Sequence, residues 1–234
     1  MNPAILSTRL GSLFPPGAVA ADLRGPGDPD LLPAAEALYV GRAVPKRVQE
    51  FAVGRLCARR ALAEFGIVDF AIRVADDRQP IWPDAFVGSI THTAGYGAAV
   101  VAERRRMRAL GLDSETVGAV KARLWASICT PGEIDWLRSL PPSEQAAAAA
   151  LIFSAKEAFY KCQYPLTSER LGFLDATVEA ATWPASTGTF NIHATRPIAF
   201  ADHTVMPLQG RYLFHGEEVT AGIGVPAAAT RAAQ

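Results

Sequence analysis

Apolar residues recur at helical spacing between Lys46 and Phe65. Their spacing is close to the 3.6-residue period of an α-helix, and Gly66 supplies a stop signal after them. The apolar positions are Val48, Phe51, Ala52, Leu56, Ala58 and Leu62. The segment is therefore predicted to be an amphipathic helix. Residues 1–40 are rich in proline and glycine, which predicts loops and short strands.

An alternating pattern follows this helix. The segment "DDRQPIWPDAF" carries two prolines, which do not fit a central strand, so it is predicted to be a loop. The next segment, "VGSITHTAGYGAAVVAE", has the pattern of two short strands joined by a turn of small residues. The run "RRRMR" then predicts an exposed hairpin tip, and "ALGLDSE" predicts the strand that returns from it.

The second half of the chain also places helices before strands. Helical patterns occur at 117–127, 131–139 and 143–162, and the last contains the helix-forming run "QAAAAAL". Alternating apolar positions around a Gly216 turn predict antiparallel strands, and the tail "PAAATRAAQ" is predicted to be disordered. The order of elements predicts an α+β fold with two halves, 1–105 and 106–234, that meet near Arg104 to Arg108.

Composition narrows the classes of function. The chain has 234 residues, with 23 basic and 23 acidic side chains and a formal net charge of zero. This balance gives no global attraction to nucleic acid or to an anionic membrane. From the pattern of charged and apolar residues, neither a secretory leader nor a bilayer-spanning segment is predicted. Cys57, Cys129 and Cys162 lack Cys-x-x-Cys spacing and are predicted to be free thiols in a reducing cytoplasm.

The segment "LIFSAKEAFYK", residues 151–161, places charged side chains on a helix with a strongly apolar face. At helical spacing, Ser154, Glu157 and Lys161 lie opposite the apolar face. That apolar face contains Leu151, Ile152, Ala155, Ala158, Phe159 and Cys162. The ordinary explanation for the charges is an i, i+4 ion pair that stabilises the helix by a few tenths of a kcal/mol.

The segment "GLDSE" places two carboxylates on one face of a strand. If Leu112 points into the core, Asp113 and Glu115 share the opposite face, because strand side chains alternate with period two. Two such carboxylates repel each other unless a cation lies between them. Their hard oxygen atoms suit Mg²⁺, which also binds substrate phosphates. The alternative is an exposed polar strand edge.

The segment "GSITHT" contains His92 and follows a helix that carries Arg47 and Arg55. The two arginines lie a little over two helical turns apart and can face the same ligand. Arginine recognises phosphate through several hydrogen bonds, and a histidine can donate another. Each residue also has an ordinary alternative, as a surface arginine or as a core histidine bonded to the backbone.

Read together, these segments resemble the Sfp-type phosphopantetheinyl transferases, most closely the branch associated with enterobactin-type siderophore synthesis. The matching segments are "KRVQEFAVGRLCARRAL", "RQPIWPDAFVGSITHTA", "GLDSE" and "FSAKEAFYK", in that order. The pairing of Gly-Leu-Asp-x-Glu with Phe-Ser-x-Lys-Glu-Ala-x-x-Lys is highly specific. The resemblance implies a monomer built as a pseudodimer of two α+β halves. Each half would be a small antiparallel sheet packed with helices, with coenzyme A in the cleft between them.

The resemblance also implies an activity and the residues that carry it out. Such an enzyme moves 4′-phosphopantetheine from coenzyme A to a serine of an apo carrier protein and releases 3′,5′-ADP. The carriers belong to siderophore, polyketide, peptide or fatty-acid synthases. Asp113, Glu115 and Glu157 would hold Mg²⁺ against the pyrophosphate. Lys161, with Lys156 close by, would neutralise phosphate oxygens, and Glu157 would act as the base for the carrier serine, directly or through a water.

A further set of positions is implied to bind coenzyme A. It consists of Arg47, Arg55, Gln79, Pro80, Ser89, Thr91 and His92, together with Lys156 and Lys161. His92 is the candidate for the 3′-phosphate, while Gln79 and Pro80 match the adenine end. Many relatives carry lysine where this chain has Gln79, so the chain departs from the family pattern there. Ser114, between the two carboxylates, has no assigned role.

Two other classes of function remain as alternatives. One is a homologue that binds coenzyme A or carrier proteins without catalysis, against which the intact carboxylates and Lys161 argue. The other is a Mg²⁺-dependent nucleotide hydrolase, which is disfavoured because the sequence has no Gly-x-x-x-x-Gly-Lys-Ser/Thr loop. The basic run from Arg104 to Arg108 is either a solvated turn or a docking surface for an acidic carrier domain.

Overall fold

Two antiparallel sheets form one after the other along the chain. A computed structural model describes residues 5–93, 95–198 and 207–227. The first sheet has strand order β1-β2-β4-β3, and its strands are β1 Ile5–Leu6, β2 Ala18–Arg24, β3 Phe86–Thr93 and β4 Tyr96–Glu103. The second has order β5-β9-β8-β7-β6, with β5 Met107–Thr116, β6 Ala176–Ala180, β7 Thr187–Ala194, β8 Leu208–His215 and β9 Glu218–Pro226.

Six α-helices accompany these strands in the described residues. They are α1 Thr8–Gly11, α2 Ala34–Ala37, α3 Pro45–Ala63, α4 Trp125–Ile128, α5 Pro131–Ser139 and α6 Pro142–Thr167. Short 3₁₀ turns occur at Pro29–Leu31, Ala122–Leu124 and Phe173–Asp175. In the part of the chain that is described, no helix has both the length and the apolar character needed to cross a membrane.

The helix predictions are confirmed at three places and wrong at one. Helix α3 matches the predicted helix at 46–65, α5 matches 131–139, and α6 continues past the predicted end at 162 to Thr167. Helix α5 begins with a capping box, in which Thr130 and Glu133 satisfy each other's backbone donors. The predicted helix at 117–127 is instead a 3₁₀ turn followed by the four-residue α4, with a turn at Gly118 in the left-handed region.

Strand β5 was predicted to return alongside β4, and this prediction is wrong. Strand β4 already pairs with β2 on one edge and β3 on the other, so neither edge is available. Strand β5 instead pairs with β9 and forms an edge of the second sheet. The turn after Glu103 is therefore where the chain passes from one sheet to the other, near the predicted boundary between residues 105 and 106. The predicted disordered tail lies largely outside the described residues.

Each sheet is covered by one long helix. Helix α3 packs on the first sheet through a cluster that includes Val53, Cys57 and Leu62, all buried. Helix α6 packs on the second sheet through Leu151, Phe159 and other buried residues. The closest approach is at Gly111, where a Cβ atom would lie 1.8 Å from the carbonyl oxygen of Ala158, so only glycine fits. The two-sheet arrangement confirms the predicted α+β fold with two halves.

The two sheets meet through hydroxyl groups where edge strand β3 faces edge strand β5. The backbone N–H of Leu112 donates to Ser89 Oγ at 3.0 Å, and the N–H of Ser114 donates to Thr91 Oγ1 at 3.0 Å. The hydroxyls of Thr93 and Thr116 lie 2.9 Å apart. Residues 89, 91 and 93 share one face of β3 because strand side chains alternate. These contacts, which we call the hydroxyl ladder, fix the position of β5 relative to β3.

Candidate active site

A groove of about 1300 Å³ runs between the two halves. Helix α3 and strand β3 line it from the N-terminal half, and α6 lines it from the C-terminal half. Seven of the residues proposed from the sequence border this groove, namely Arg47, Arg55, Gln79, Pro80, Ser89, His92 and Lys161. The structure therefore brings together positions that lie far apart in the chain, in a space large enough for an extended ligand.

His92 lies on β3 and faces the first turns of α3. Its Nε2 is 2.7 Å from Arg47 Nη1, and its Nδ1 is 3.8 Å from a carboxylate oxygen of Glu50. Because arginine can only donate, Nε2 is the acceptor in this contact. Burial and the neighbouring Arg47 charge lower the pKa of His92 to about 4. His92 is therefore neutral at pH 7. It accepts a hydrogen bond from Arg47, whose guanidinium can also bind an anion.

Arg55 lies two turns further along α3 and is largely buried. Its Nε donates to the carbonyl oxygen of Ile72 at 2.9 Å, and its guanidinium stacks over the ring of Phe51 at 4.4 Å. Burial lowers its pKa to about 10, so the side chain remains charged at neutral pH. Arg55 thus presents a fixed positive charge to the groove, with the remaining guanidinium donors held in one plane.

The loop that precedes β3 contributes Gln79 and Pro80. Gln79 is held by Asp77, which accepts from both the backbone N–H and the side-chain amide of Gln79. A bridge between Val74 and Pro80 closes the loop. Both predicted residues therefore border the groove from an ordered turn.

Asp113 lies on β5 and is buried. Lys161 Nζ donates to its Oδ1 at 2.6 Å, and Thr91 Oγ1 donates to the same oxygen at 3.2 Å. Ser154 Oγ, on α6, donates to the backbone carbonyl oxygen of Asp113 at 2.8 Å. Burial raises the pKa of Asp113, and the Lys161 charge opposes that rise. The second oxygen, Oδ2, is buried and has no hydrogen-bond partner.

Glu115 and Glu157 lie close enough to Asp113 for their charges to interact. Burial raises the pKa of Glu157, and repulsion from Asp113 and Glu115 adds to the rise while Lys161 opposes it. Burial also raises the pKa of Glu115, with a further contribution from Asp113. Among the described residues, no group of three or more His, Cys, Asp or Glu side chains is arranged to hold a metal ion. The three carboxyls are thus an electrostatically coupled group beside the groove.

Lys156 does not reach this group, which corrects the expectation that it lies close to Lys161 on the phosphate. Its Nζ is buried and donates to Glu133 Oε2 at 2.7 Å and to the carbonyl oxygens of Ile128 and Phe173, both at 2.9 Å. All three ammonium protons are therefore used. The reason is geometric, because residues 156 and 161 lie on different sides of α6, and Lys156 points toward α5.

Ser89 and Thr91 also have partners other than a ligand in this structure. Both side chains are buried, and their hydroxyls belong to the hydroxyl ladder. Ser89 still borders the groove, whereas Thr91 does not. Their contact with coenzyme A remains a prediction, and their bonding to β5 is a second role that the sequence did not indicate.

Sequence reasoning missed several residues of the groove and its support. Tyr160 and Tyr164 stack on each other with ring centroids 5.4 Å apart, and both border the groove together with Arg170. Their i, i+4 spacing beside Lys161 is a signal that could have identified them. Glu133 was also missed, although its place in a Thr-x-x-Glu capping box marked it as more than a surface carboxylate.

Comparison with known proteins gives consistent matches. A family model described as the 4′-phosphopantetheinyl transferase N-terminal domain matches residues 35–102, and one described as the 4′-phosphopantetheinyl transferase superfamily matches 109–214. The 4′-phosphopantetheinyl transferase Npt of Nocardia iowensis is 38% identical over 78% of this chain and 82% of its own length. The 4′-phosphopantetheinyl transferase Svp of Streptomyces mobaraensis is 38% identical over 80% of this chain and 77% of its own length. Enterobactin synthase component D of Escherichia coli (strain K12) is 34% identical over 60% of this chain and 64% of its own length.

Proposed function

The chain belongs to the 4′-phosphopantetheinyl transferase superfamily, and from this premise we propose how its groove performs the transfer. The enzyme moves the phosphopantetheine group of coenzyme A to a serine hydroxyl of a carrier protein and releases 3′,5′-ADP. The observation that carries our assignment of the site is the partly buried Lys161–Asp113 ion pair at 2.6 Å, with the partnerless second oxygen of Asp113, beside a groove lined by Arg47, Arg55 and His92.

Coenzyme A is proposed to lie along the groove with its 3′-phosphate at the α3 end. Arg47 and His92 are 2.7 Å apart and can both donate to one phosphate once the ring turns from Arg47. Arg55 supplies a further fixed charge at the same wall. Gln79 and Pro80 are proposed to meet the adenine. The pyrophosphate then falls toward Lys161, whose ammonium can neutralise its oxygens.

Asp113, Glu115 and Glu157 are proposed to hold Mg²⁺. The fit rests on the buried oxygen Oδ2 of Asp113, which has no partner, and on Glu157, whose pKa is raised by burial and further by repulsion from Asp113 and Glu115. A hard cation that prefers oxygen ligands would give Oδ2 a partner and would offset the repulsion among the three carboxylates. When bound, Mg²⁺ supplies charge neutralisation for the pyrophosphate oxygens during phosphoryl transfer.

Glu157 is proposed to take the proton of the carrier serine. The serine oxygen forms a bond to the β-phosphorus, and the bond from that phosphorus to the oxygen of the 3′,5′-ADP phosphate breaks. The proton passes from the serine hydroxyl to a carboxylate oxygen of Glu157, whose raised pKa makes it a better acceptor than an ordinary glutamate. Lys161 is placed to stabilise the negative charge that collects on the departing phosphate.

The acceptor is proposed to be a carrier domain of a siderophore, polyketide, peptide or fatty-acid synthase. Similarity to enterobactin synthase component D favours a siderophore synthase. The three cysteines are free and buried, which supports the proposal of a reducing cytoplasmic compartment. We propose that halves 1–105 and 106–234 form a pseudodimer, and because one chain supplies both walls of the groove, a monomer is proposed as the working unit.

Mass spectrometry of apo carriers tests the proposal. Purified siderophore, polyketide, peptide and fatty-acid carrier domains are incubated with coenzyme A, Mg²⁺ and the protein. We expect a gain of one phosphopantetheine mass on at least one carrier, largest on the siderophore carrier, and no gain with its acceptor serine replaced by alanine. No gain on any carrier contradicts the proposed function, and an unchanged rate in EDTA contradicts the proposed metal.

A further inference from the structure

The two oxygens of the Asp113 carboxyl have unequal surroundings. Oδ1 receives both protein donors, from Lys161 Nζ at 2.6 Å and from Thr91 Oγ1 at 3.2 Å, while buried Oδ2 receives none. The last torsion of an aspartate is broad and roughly two-fold. A carboxyl with so little intrinsic preference keeps one oxygen turned to its donors only if the donors themselves are fixed.

The hydrogen bonds of Thr91 leave a single acceptor for its hydroxyl proton. The backbone N–H of Ser114 donates to Thr91 Oγ1 at 3.0 Å, so that oxygen is already an acceptor. A threonine hydroxyl has a single proton, and the remaining hydrogen-bond partner is Asp113 Oδ1. The side chain is 2% exposed, so water does not compete for either bond. By contrast, the Lys161 side chain is 28% exposed, and its ammonium, on a long stem, also donates to the carbonyl oxygen of Leu112 at 3.2 Å.

Resting on the proposed function, we propose that Thr91 is a positioning residue for metal binding. Its hydroxyl holds Oδ1 of Asp113 and thereby keeps Oδ2 free of protein donors and available as a metal ligand. Without the hydroxyl, the carboxyl can rotate and pair both oxygens with Lys161, which removes a metal ligand. The donor that orients a metal-binding carboxylate is typically worth tenfold to a hundredfold in metal affinity or activity.

The position of Thr91 also links the two halves. It lies on β3 beside His92, whose side chain points to the other face of the strand and borders the groove. One strand of the N-terminal half thus carries a candidate donor-binding residue and the residue that orients a carboxyl of the C-terminal half. The role assigned here to Thr91 is separate from a contact with coenzyme A, because Thr91 does not border the groove.

Thr93 offers a matched control for this role. It lies two residues away on the same face of β3, and its hydroxyl also bonds across to β5, at 2.9 Å from Thr116 Oγ1. Thr116 is not among the proposed metal ligands. Thr91→Val and Thr93→Val each delete one hydroxyl of the ladder with little change in shape. Thr91→Ser keeps the hydroxyl.

The test is a Mn²⁺ titration of the full chain with coenzyme A present and carrier protein absent, followed by the electron paramagnetic resonance signal of unbound Mn²⁺. A titration of coenzyme A alone is subtracted. We expect Thr91→Val to weaken Mn²⁺ binding by about tenfold to a hundredfold, as for other orienting donors. Thr91→Ser and Thr93→Val should bind like the wild type. In transfer assays, Thr91→Val should lower kcat while the KM for the carrier stays within about twofold.

Each outcome decides the inference. Equal Mn²⁺ affinity in Thr91→Val and the wild type overturns the role of Thr91 and leaves the proposed function intact. Absence of Mn²⁺ binding by the wild-type complex overturns both the inference and the proposed metal site, although phosphopantetheine transfer itself can still be observed. Equal losses of Mn²⁺ affinity in Thr91→Val and Thr93→Val also overturn the role of Thr91, because any broken contact of the hydroxyl ladder would then have the same effect. If Thr91→Val does not fold, Thr91→Cys, with its weak S–H donor, replaces it under the same expectations.

Discussion

Arg47 and His92, on the N-terminal wall of the groove, are partly accessible to water, whereas Asp113, on the C-terminal wall, is buried. Arg47 is 50% exposed and His92 31%, but Asp113 is only 9% exposed. Water screens the first group and weakens each of its interactions. It screens Asp113 and the neighbouring carboxyls poorly, so burial raises the pKa of Asp113, Glu115 and Glu157, and carboxylate repulsion adds to the rise for Glu115 and Glu157. Chemistry that depends on strong fields therefore belongs on the C-terminal wall, and recognition of the donor belongs on the N-terminal wall.

The difference in burial predicts that substitutions on the C-terminal wall have the larger effect on activity. Asp113→Ala removes the oxygen proposed to bind metal, and transfer should fall by about a hundredfold to a thousandfold or more. The fold should persist, because removal of one carboxylate relieves repulsion with Glu115 and Glu157. Carrier mass spectrometry measures the rate, and near-ultraviolet circular dichroism verifies the fold. A folded variant with activity within threefold of the wild type would contradict the proposed metal site.

Substitutions of two lysines on α6 should have different effects, one mainly on stability and the other mainly on activity. Lys156→Met leaves Glu133 buried and without its cation, and should lower the free energy of unfolding by about 3–5 kcal/mol. Lys161→Met should cost less stability, because the Lys161 ammonium is partly exposed, and should instead lower kcat by about a hundredfold. Urea unfolding and transfer kinetics are measured on both variants. Greater loss of stability in Lys161→Met than in Lys156→Met would reverse the assignment of structural and functional lysine.

On the N-terminal wall, His92→Ala should weaken the use of coenzyme A by about tenfold to a hundredfold. The estimate follows from a charge-assisted hydrogen bond of roughly 1.5–3 kcal/mol to the 3′-phosphate. The loss should appear in kcat/KM for coenzyme A. Dephospho-coenzyme A, which lacks the 3′-phosphate, should be a poor substrate for the wild type and lose little further in the variant. If the substitution affects both donors equally, His92 does not recognise the 3′-phosphate.

Patterns within one element were predictable from the sequence, and pairings between elements were not. The periods of the apolar residues identified α3, α5 and α6, and the alternation after residue 86 identified β3 and β4. The partner of β5 could not be found in this way, because strand alternation specifies which face is buried and not which strand lies beside it. The pairing with β9 depends on the filled edges of β4, which is a property of the assembled sheet.

The same limit applies to the candidate site. Motif matches placed Arg47, Arg55, His92 and Lys161 at the groove, as the structure has them. The motif could not distinguish Lys156 from Lys161, because which side of α6 meets α5 depends on how the helices pack. The second role of Thr91 was also hidden, since its partner Asp113 lies 22 positions away and in the other half.

Because folded His92 resists protonation, the protein should lose stability at acidic pH. Its folded pKa is lowered to about 4 by burial and by Arg47, and Glu50 and Lys161 also face it. Between pH 6.5 and about 4 the unfolded chain binds a proton that the folded chain does not. Stability should therefore fall as the pH falls through this window, and His92→Asn should show a smaller fall. Urea midpoints at pH 7 and pH 5 measure the difference, and identical midpoint shifts in the two proteins would contradict it.

The smallest effect is expected at the basic turn after β4, which tests whether electrostatics outside the groove matter. Arg105 makes three hydrogen bonds to the carboxylate of Glu103, and Arg106 lies 3.4 Å from the same carboxylate, so part of the positive charge is already neutralised. Arg104 instead donates to the carbonyl oxygens of Asp84 and Phe86, which is a structural role.

Arg105→Ser should therefore raise the KM for an acidic carrier by only about twofold at low salt, as expected for one exposed charge. The rise should vanish at high ionic strength because salt screens exposed charges. Arg60→Ser is the control, since Arg60 is a partly exposed arginine that is also paired with a glutamate, Glu64, but lies on α3. Carrier KM values for both variants at two salt concentrations measure the effect. Equal KM values in Arg105→Ser and Arg60→Ser would make the turn ordinary solvated surface and leave carrier recognition to the walls of the groove.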